Sequence, residues 1–447
     1  MREVTYAYER ASRLVTDPDI GLTVDLATLA PSVGGTPAFF DGWVSRPRQT
    51  AALLLAVAAV ARSRYFRPTS ARLLDPILTS GDDRLRLESF SSCCGVYARA
   101  DLLPQDLREV SVGTGTTNVD LNPAIRDALA RVDDSTEMRL SIGAGGLRVR
   151  TRADTAFERK VKLPTRWQKG LGEAALAQVG MRRHLQVGAA VARRALAGLP
   201  PAGAASAPPY SVVARGRELQ FSQRVLGEAP CVAGPYRLRE LRPLAEFATI
   251  LGVWARPGAG PRPSAWELEL PGARVWFVLS AEVSRGFSGE GEALGMLADP
   301  VAVGQAAALR EQLGWRARLD EDDLAAKAGG DAARIGDLLA VLGSQGLVGR
   351  DLAEDAWFRR DLPFAAALVP KLQPRVRTAA AIGASDLAVR ALAGGAQEVF
   401  VRSGDIEHRV VLRGADARCT CAWYIRHGGS RGPCRHILAA RRRVGKE

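Results

Sequence analysis

Histidine, lysine and cysteine are all scarce in this chain. Four histidines in 447 residues leave few side chains able to move protons near neutral pH. No Ser/His/Asp arrangement and no paired carboxylates at a defined spacing accompany them, so the composition points away from an enzyme. Six cysteines are too few for a disulfide scaffold, and reduced thiols in a cytoplasmic protein are expected. Long apolar runs are missing as well. The longest, Ala51 to Ala61, ends at Arg62 and Arg64 and falls far short of the roughly 20 residues that cross a bilayer. It reads as a buried helix, and no membrane association is expected. Met1 to Thr16 carries Arg2, Glu3, Glu9, Arg10 and Arg13 with no apolar core, so it does not read as an export signal.

What is present is arginine. The formal charge is +13 with only six lysines, a bias that a GC-rich genome produces without selection for binding. The distribution of charge along the chain therefore says more than its total.

The sequence divides by composition. Residues 198–209 (GLPPAGAASAPP) have no periodicity and nothing large to bury, and read as a linker. Before it, residues 1–197 read as an α+β domain. An apolar helix covers Gln49 to Ser63, strand-like runs lie at Leu85–Ser91, Arg108–Gly113, Met138–Ile142 and Leu147–Thr151, and helical patterns fill Arg166–Ala197. After the linker, residues 210–300 read as a second α+β domain, with strands at Tyr210–Gln223, Trp266–Leu270 and Ala273–Ser280 and a helix over Leu241–Ala255. Residues 301–362 change to helices with short turns and two short apolar stretches, the order of a winged helix. Asp322–Ala328 and Asp331–Ser344 are its second and third helices, Gly329-Gly330 the turn, and Leu347–Arg359 the wing. Ile335, Leu338, Leu339 and Leu342 recur at helical spacing and face its core. This segment is acidic, with ten Asp/Glu against five Lys/Arg from Asp320 to Asp361. It would repel a duplex, so a protein-contact role fits it better. A further helical stretch is expected at Ser385–Ala393, opening a C-terminal region over residues 375–447.

That region carries the chemistry. Ile406, Val410 and Leu412 alternate as in a strand, Gly414-Ala415-Asp416 is a turn, and Arg418–Trp423 a return strand that places Cys419 and Cys421 on one face. Cys434 and His436 stand at the start of a short helix containing Ile437 and Leu438. Three thiolates and one imidazole select Zn²⁺ over hard cations. A shell filled by protein leaves no position for an activated water, so the zinc is structural. His427, in a glycine-rich loop, is set aside as a solvent-exposed decoy.

A C-x-C pair (Cys419-Thr420-Cys421), twelve intervening residues and C-x-H (Cys434-Arg435-His436) resemble the SWIM zinc finger, a ββα unit. The stretches GTPAFFDGW at 35–43, GTGTTNVDLNP at 113–123 and FERKVKLPTRWQKG at 157–170 also resemble bacterial SWIM-finger proteins. The resemblance implies relatives encoded near MoxR-type AAA+ ATPases and von Willebrand A-domain proteins, and a finger that binds DNA or proteins.

Two basic segments would serve such binding. Arg402 to Lys446 holds eleven Lys/Arg against three Asp/Glu, with Arg435, Arg441, Arg442 and Arg443 as phosphate contacts. Trp423 and Tyr424 nearby are read first as packing residues and second as base-stacking rings. Arg139 to Arg194 holds thirteen Lys/Arg against three Asp/Glu, with Lys160, Lys162, Arg166 and Lys169 as an anion-binding edge. Gly113 to Asn118 lacks the Gly-Lys-Ser/Thr ending of a phosphate loop and reads as a turn. Asn118, Asp120 and Asn122 lack the glycine and glutamate of a calcium loop, Cys93-Cys94 read as buried hydrophobes, and His184 as a surface residue on a helix. The leading expectation is a non-enzymatic zinc-finger protein that binds nucleic acid, DNA first, through its basic C-terminal module. The alternatives are a protein adaptor for an AAA+ ATPase or von Willebrand A-domain protein, and an enzyme using the Gly113 to Asn118 loop.

Overall fold

The computed structural model describes residues 13–17, 21–26, 40–66, 76–81, 83–118, 121, 123–143, 146–150, 165–203, 207–224, 226–258, 260–289, 291–316, 318–328, 331–360, 373–414 and 416–445. In chain order, strands β1 (Arg13–Asp17), β2 (Gly21–Leu26) and β3 (Phe40–Val44) precede helix α1 (Pro47–Arg62). Then come β4 (Ile77–Gly81), β5 (Arg84–Phe90), β6 (Val96–Leu102), β7 (Leu107–Val112), β8 (Gly115–Asn118), α2 (Pro123–Ala130), β9 (Arg139–Gly143) and β10 (Gly146–Arg150). Helix α3 (Thr165–Gln178), β11 (Arg182–Gly188) and α4 (Ala189–Ala197) lead to β12 (Tyr210–Arg215), β13 (Glu218–Ser222) and β14 (Cys231–Val232). A 3-10 helix, Pro235–Leu244, is followed by β15 (Ile250–Ala255), β16 (Ser264–Leu270) and β17 (Ala273–Leu279). Helices α5 (Leu294–Leu297), α6 (Pro300–Gln312), α7 (Glu321–Ala328) and α8 (Ala332–Ser344) run into the hairpin β18 (Val348–Asp351) and β19 (Ala356–Arg359). The chain closes with α9 (Pro374–Ala380), β20 (Leu387–Ala391), β21 (Gln397–Ser403), β22 (Ile406–Arg413), β23 (Asp416–Cys419), α10 (Ala422–His427) and α11 (Arg435–Val444). Among the described residues no helix is long and apolar enough to cross a membrane.

The largest sheet has eight strands in the order β11-β15-β16-β17-β6-β5-β4-β8. Its faces follow from strand alternation. β5 reads RLRLESF and β16 reads SAWELEL, so Leu85, Leu87 and Leu268 point to one side and Arg86, Glu88 and Glu267 to the other. The apolar side, with Ala98, Val253 and Phe277, packs against Leu53, Leu54 and Val57 of α1. The opposite side carries buried charge and is covered by α3 and the β18–β19 hairpin. There Arg86 pairs with Asp101 at 3.3 Å and with Asp351 of the hairpin at 2.8 Å. Arg99 pairs with the same two carboxylates at 3.0 Å each, and Arg360 reaches Glu88 at 3.0 Å. Burial raises the Asp351 carboxyl, but the Arg99 and Arg86 guanidiniums outweigh it and hold the group well below the usual carboxylate range.

Strand β17, beyond the 198–209 stretch, pairs with β6 before it, from Ala273↔Leu102 to Leu279↔Val96. The two flanking segments thus share one sheet, whatever the exposure of the connection between them. A second sheet of six strands, β1-β2-β10-β9-β3-β7, lies wholly in the first segment.

Several expected elements change type. The helical reading of Arg166–Ala197 is interrupted by β11, because Gly180 takes a left-handed φ of 74° that ends α3, and β15 captures the next segment. His184 therefore lies in a bulged strand, not a helix. The helix expected over Leu241–Ala255 resolves into the end of a 3-10 helix and β15, whose Ile250 and Val253 are β-branched and pair with both β11 and β16. Ser385–Ala393 is likewise mostly β20, paired with β21. Part of the Gly113 to Asn118 segment is β8, hydrogen-bonded to β4 rather than curled around a phosphate. Asp120, Asn122 and the Gly329-Gly330 turn lie outside the described residues.

The helices α6, α7 and α8 and the hairpin β18–β19 occupy the positions expected for three helices and two short strands. Aspartates cap their starts: Asp299 accepts from Val301 N at 2.9 Å, Asp320 from Asp322 N at 3.0 Å and Asp331 from Ala333 N at 3.2 Å. Gly172 lets α3 cross α8 at close range, since a Cβ there would stand 2.3 Å from the Ser344 carbonyl oxygen.

Glu267, on the charged face of the sheet, is only 2% exposed and accepts a hydrogen bond from Trp254 Nε1 at 3.0 Å. Burial pushes its carboxyl up to about 7, against the Trp254 hydrogen bond. The folded protein thus holds a proton that the unfolded chain releases near pH 4.5, and stability falls as pH rises from there through 7. Glu267→Gln keeps an acceptor for the indole and carries no charge. It is expected to raise stability by about 3 kcal/mol at pH 8 and by little at pH 5, as urea unfolding at the two pH values would measure. An equal effect at both would show that Glu267 does not titrate in this range.

Candidate metal centre

The four-stranded sheet β20-β21-β22-β23 and helix α11 form the C-terminal module. Val399, Val401, Val410 and Leu412 on one sheet face meet Ile437 and Ala440 of the helix. Cys419 ends β23, Cys421 caps α10, and Cys434 caps α11 with His436 in its first turn. The return strand expected over Arg418–Trp423 stops at Cys419, since residues 422–427 turn into helix. Cys421 reaches the cluster from a helix cap instead of from a shared strand face.

One ligand atom from each of Cys419, Cys421, Cys434 and His436 lies within 4.8 Å of the others, and all four residues are buried. Donors about 2.3 Å from one tetrahedral ion stand roughly 3.8 Å apart, so a small contraction closes this set around zinc. Each sulfur also accepts a backbone N–H at 3.4 Å: Cys419 from Cys421, Cys421 from Tyr424 and Cys434 from Ile437. Such bonds favour the thiolate. The Cys419 thiol, hydrogen-bonding to Cys434, brings the Cys434 thiol down to about 4 in spite of burial. The same contact and burial push Cys419 up, and burial pushes Cys421 up. His436 Nδ1 is 3.8 Å from Cys419 Sγ, while Arg435 Nε lies 3.1 Å from its Nε2. His408 stacks on His436 with centroids 4.1 Å apart and fixes the ring plane from behind. Three sulfurs and one imidazole, closed by protein, fit structural zinc.

The loop between the ligand pairs docks on the rest of the chain. Gly432 has φ 71°, and a Cβ on it would fall 2.0 Å from Gly291 O. Arg375 of α9 donates to Pro433 O at 3.0 Å and covers the Trp423 ring at 4.7 Å. Tyr424 donates its hydroxyl to Ala417 O at 2.7 Å. Both aromatics pack against the module's core, in line with the packing role read first for them. His427, half-buried at the end of α10, tilts against Trp423 at 4.9 Å, outside the ligand cluster.

The arginines anticipated as contacts separate in space. Arg435 is exposed beside the ligands and donates to Ser403 Oγ at 2.8 Å. Arg441 and Arg442 line a cleft of about 450 Å³ shared with Met296, Asp299, Arg334 and Asp337, so they face acidic groups of the helical segment. Arg443 sits half-buried in the last turn of α11, where a cation complements the helix C-terminus. Lys169 is half-buried on α3, its ammonium lowered by burial and by Arg375. Arg166 lies on the same helix, and Lys160 and Lys162 lie outside the described residues.

A different set of arginines forms a surface. A groove of about 780 Å³ runs between the sheet and α10, lined by Arg409, Val411, Arg413, Arg418, Tyr424 and Ile425. Ile425 is 73% exposed. The period-2 spacing of Arg409, Val411 and Arg413 was the sequence signal for this face, and strand register completes it by setting Arg418 opposite Val411.

The SWIM zinc finger family matches residues 408–441, and that stretch, with its Cys₃His cluster, is a SWIM zinc finger domain. None of the curated proteins matches the chain. Among solved structures, 54% of the chain is similar to proliferating cellular nuclear antigen from Entamoeba histolytica, with a TM-score of 0.35, 8% identity and 98% of that chain covered. The same share is similar to the PCNA of Thermococcus kodakaraensis, with a TM-score of 0.34, 11% identity and 99% coverage.

Proposed function

We propose that the SWIM zinc finger is a non-enzymatic binding module for nucleic acid, and that the groove between its sheet and α10 is where the phosphate backbone lies. The observation that carries this reading is the grouping of Arg409, Arg413 and Arg418 along one groove with Asp416 as the acidic lining residue. Arg413 and Arg418 are exposed, whereas Arg409 is paired with Glu398. Zinc holds the two ligand-bearing turns and so fixes the groove's walls. Phosphate neutralisation releases counterions, and affinity falls with salt in proportion to the contacts made. Arg413→Ala with Arg418→Ala is expected to lower the log–log salt slope by about 1.4 for a single strand. Arg441→Ala with Arg442→Ala should change it little. Anisotropy titrations at several salt concentrations measure both. Absence of binding at low salt would remove the nucleic-acid reading.

A second reading has an observation of its own. Asp322, Asp323, Asp331 and Asp337 are exposed on α7 and α8 or at their starts, an acidic surface suited to a basic protein partner rather than to DNA. On that reading the segment 301–362 acts as a winged-helix-like docking unit, with an AAA+ ATPase or von Willebrand A-domain protein as the partner class. Substituting these four aspartates would then abolish partner capture and leave nucleic-acid affinity intact.

A further inference from the structure

Strand register places a phenyl ring in the middle of the finger's outer sheet face. Phe400 pairs with Ala388 of β20 on one side and Arg409 of β22 on the other. The core face is supplied by its neighbours Val399 and Val401, both fully buried, so Phe400 projects away from the zinc and from α11. It is half-buried, and Ala388, Arg390, Arg402 and Arg409 around it are exposed. Across the same face Arg390 stands in register with Glu398, Arg402 with Glu407, Val411 with Arg418 and Arg413 with Asp416. Five arginines thus meet three carboxylates, and one of these, Glu398, is itself buried and paired with Arg409.

We infer that this face is a stacking platform for unpaired bases, with Phe400 as the ring and single-stranded nucleic acid as the ligand. The inference rests on the preceding reading and narrows its ligand. The phenyl ring lies on the face opposite the module's core, and a flat aromatic amid guanidiniums offers one surface for a base and others for the flanking phosphates. In a duplex the bases stack on each other and cannot lie on a sheet. The groove past Val411 continues the platform, so a strand crossing Phe400 runs on towards Arg413 and Arg418.

The test uses the full zinc-loaded chain with labelled oligothymidylate and a duplex of equal length. The expected result is preference for the single strand, loss of about tenfold in affinity on Phe400→Ala, an unchanged salt slope, and recovery with Phe400→Trp. Zinc content of each variant shows whether the finger remains folded. Wild-type affinity in a zinc-loaded Phe400→Ala variant, or preference for the duplex, overturns the inference while Arg413→Ala with Arg418→Ala still tests the groove. If neither nucleic acid binds at low salt, the groove reading fails first and the platform falls with it.

Discussion

Cys434→Ser is expected to strip zinc from the protein and to unfold the C-terminal module while the eight-stranded sheet stays intact. The module's apolar cluster consists of a few residues such as Val399, Val401, Val410, Leu412 and Ile437, too small a core to offset the ordering of four strands and two helices unaided. Structural zinc contributes on the order of 10 kcal/mol in small fingers, so it decides whether this one folds. Cys434 is the ligand whose loss should cost most. It caps α11, the helix that packs on the module's sheet, and its sulfur takes the Ile437 N–H. Metal analysis should fall from one equivalent to none, and amide exchange should accelerate across residues 397–444. Zinc retained with native exchange rates in the variant would sink the assignment. In the wild type, protons compete with zinc for the same donors, so zinc is expected to leave as the solution is made acidic.

The ligands were legible because their chemistry is local: two C-x-C/H pairs and a glycine-bearing loop state the site without reference to anything distant. The surface around them was not. Arg441, Arg442 and Arg443 are conspicuous as a run, yet α11 turns two of them into a cleft beside Asp299 and Asp337. Arg409, Arg413 and Arg418 are scattered in sequence and come together only through the β22–β23 register. Phe400 looks like any core residue until its register with β20 and β22 assigns its face. The same reason explains the fold. Local periodicity suffices for α1 or α8, whose buried residues recur within one element. β11 and β15 owe their form to each other across a long stretch of chain, and Ala273↔Leu102 is a contact that no local pattern encodes.

Asp351→Ala is expected to destabilise the protein by about 3–5 kcal/mol, because it leaves two buried guanidiniums sharing the single carboxylate of Asp101. Asp351 sits on the hairpin, and Arg86 and Arg99 on the sheet, each at most 3% exposed at the side chain. Phe358 lies under the same cations, 4.3 Å from the Arg86 guanidinium carbon, so water cannot readily take the carboxylate's place. Asp351→Asn, which preserves shape and removes charge, should recover only part of the loss, whereas loss of packing alone would make it nearly neutral. The pH dependence has a definite sign. The folded Asp351 carboxyl lies below its unfolded value, so its contribution is complete above about pH 4 and fades as pH falls further. The gap between wild type and Asp351→Asn should therefore be constant from pH 7 to pH 5 and narrow below that in urea titrations. A gap that persists undiminished at lower pH would mean that the ion pairs do not hold the hairpin to the sheet. Replacing Arg86, Arg99, Asp101 and Asp351 together with apolar residues of similar volume would then separate charge from shape, since a well-packed apolar substitute can match or exceed a buried ion network in stability.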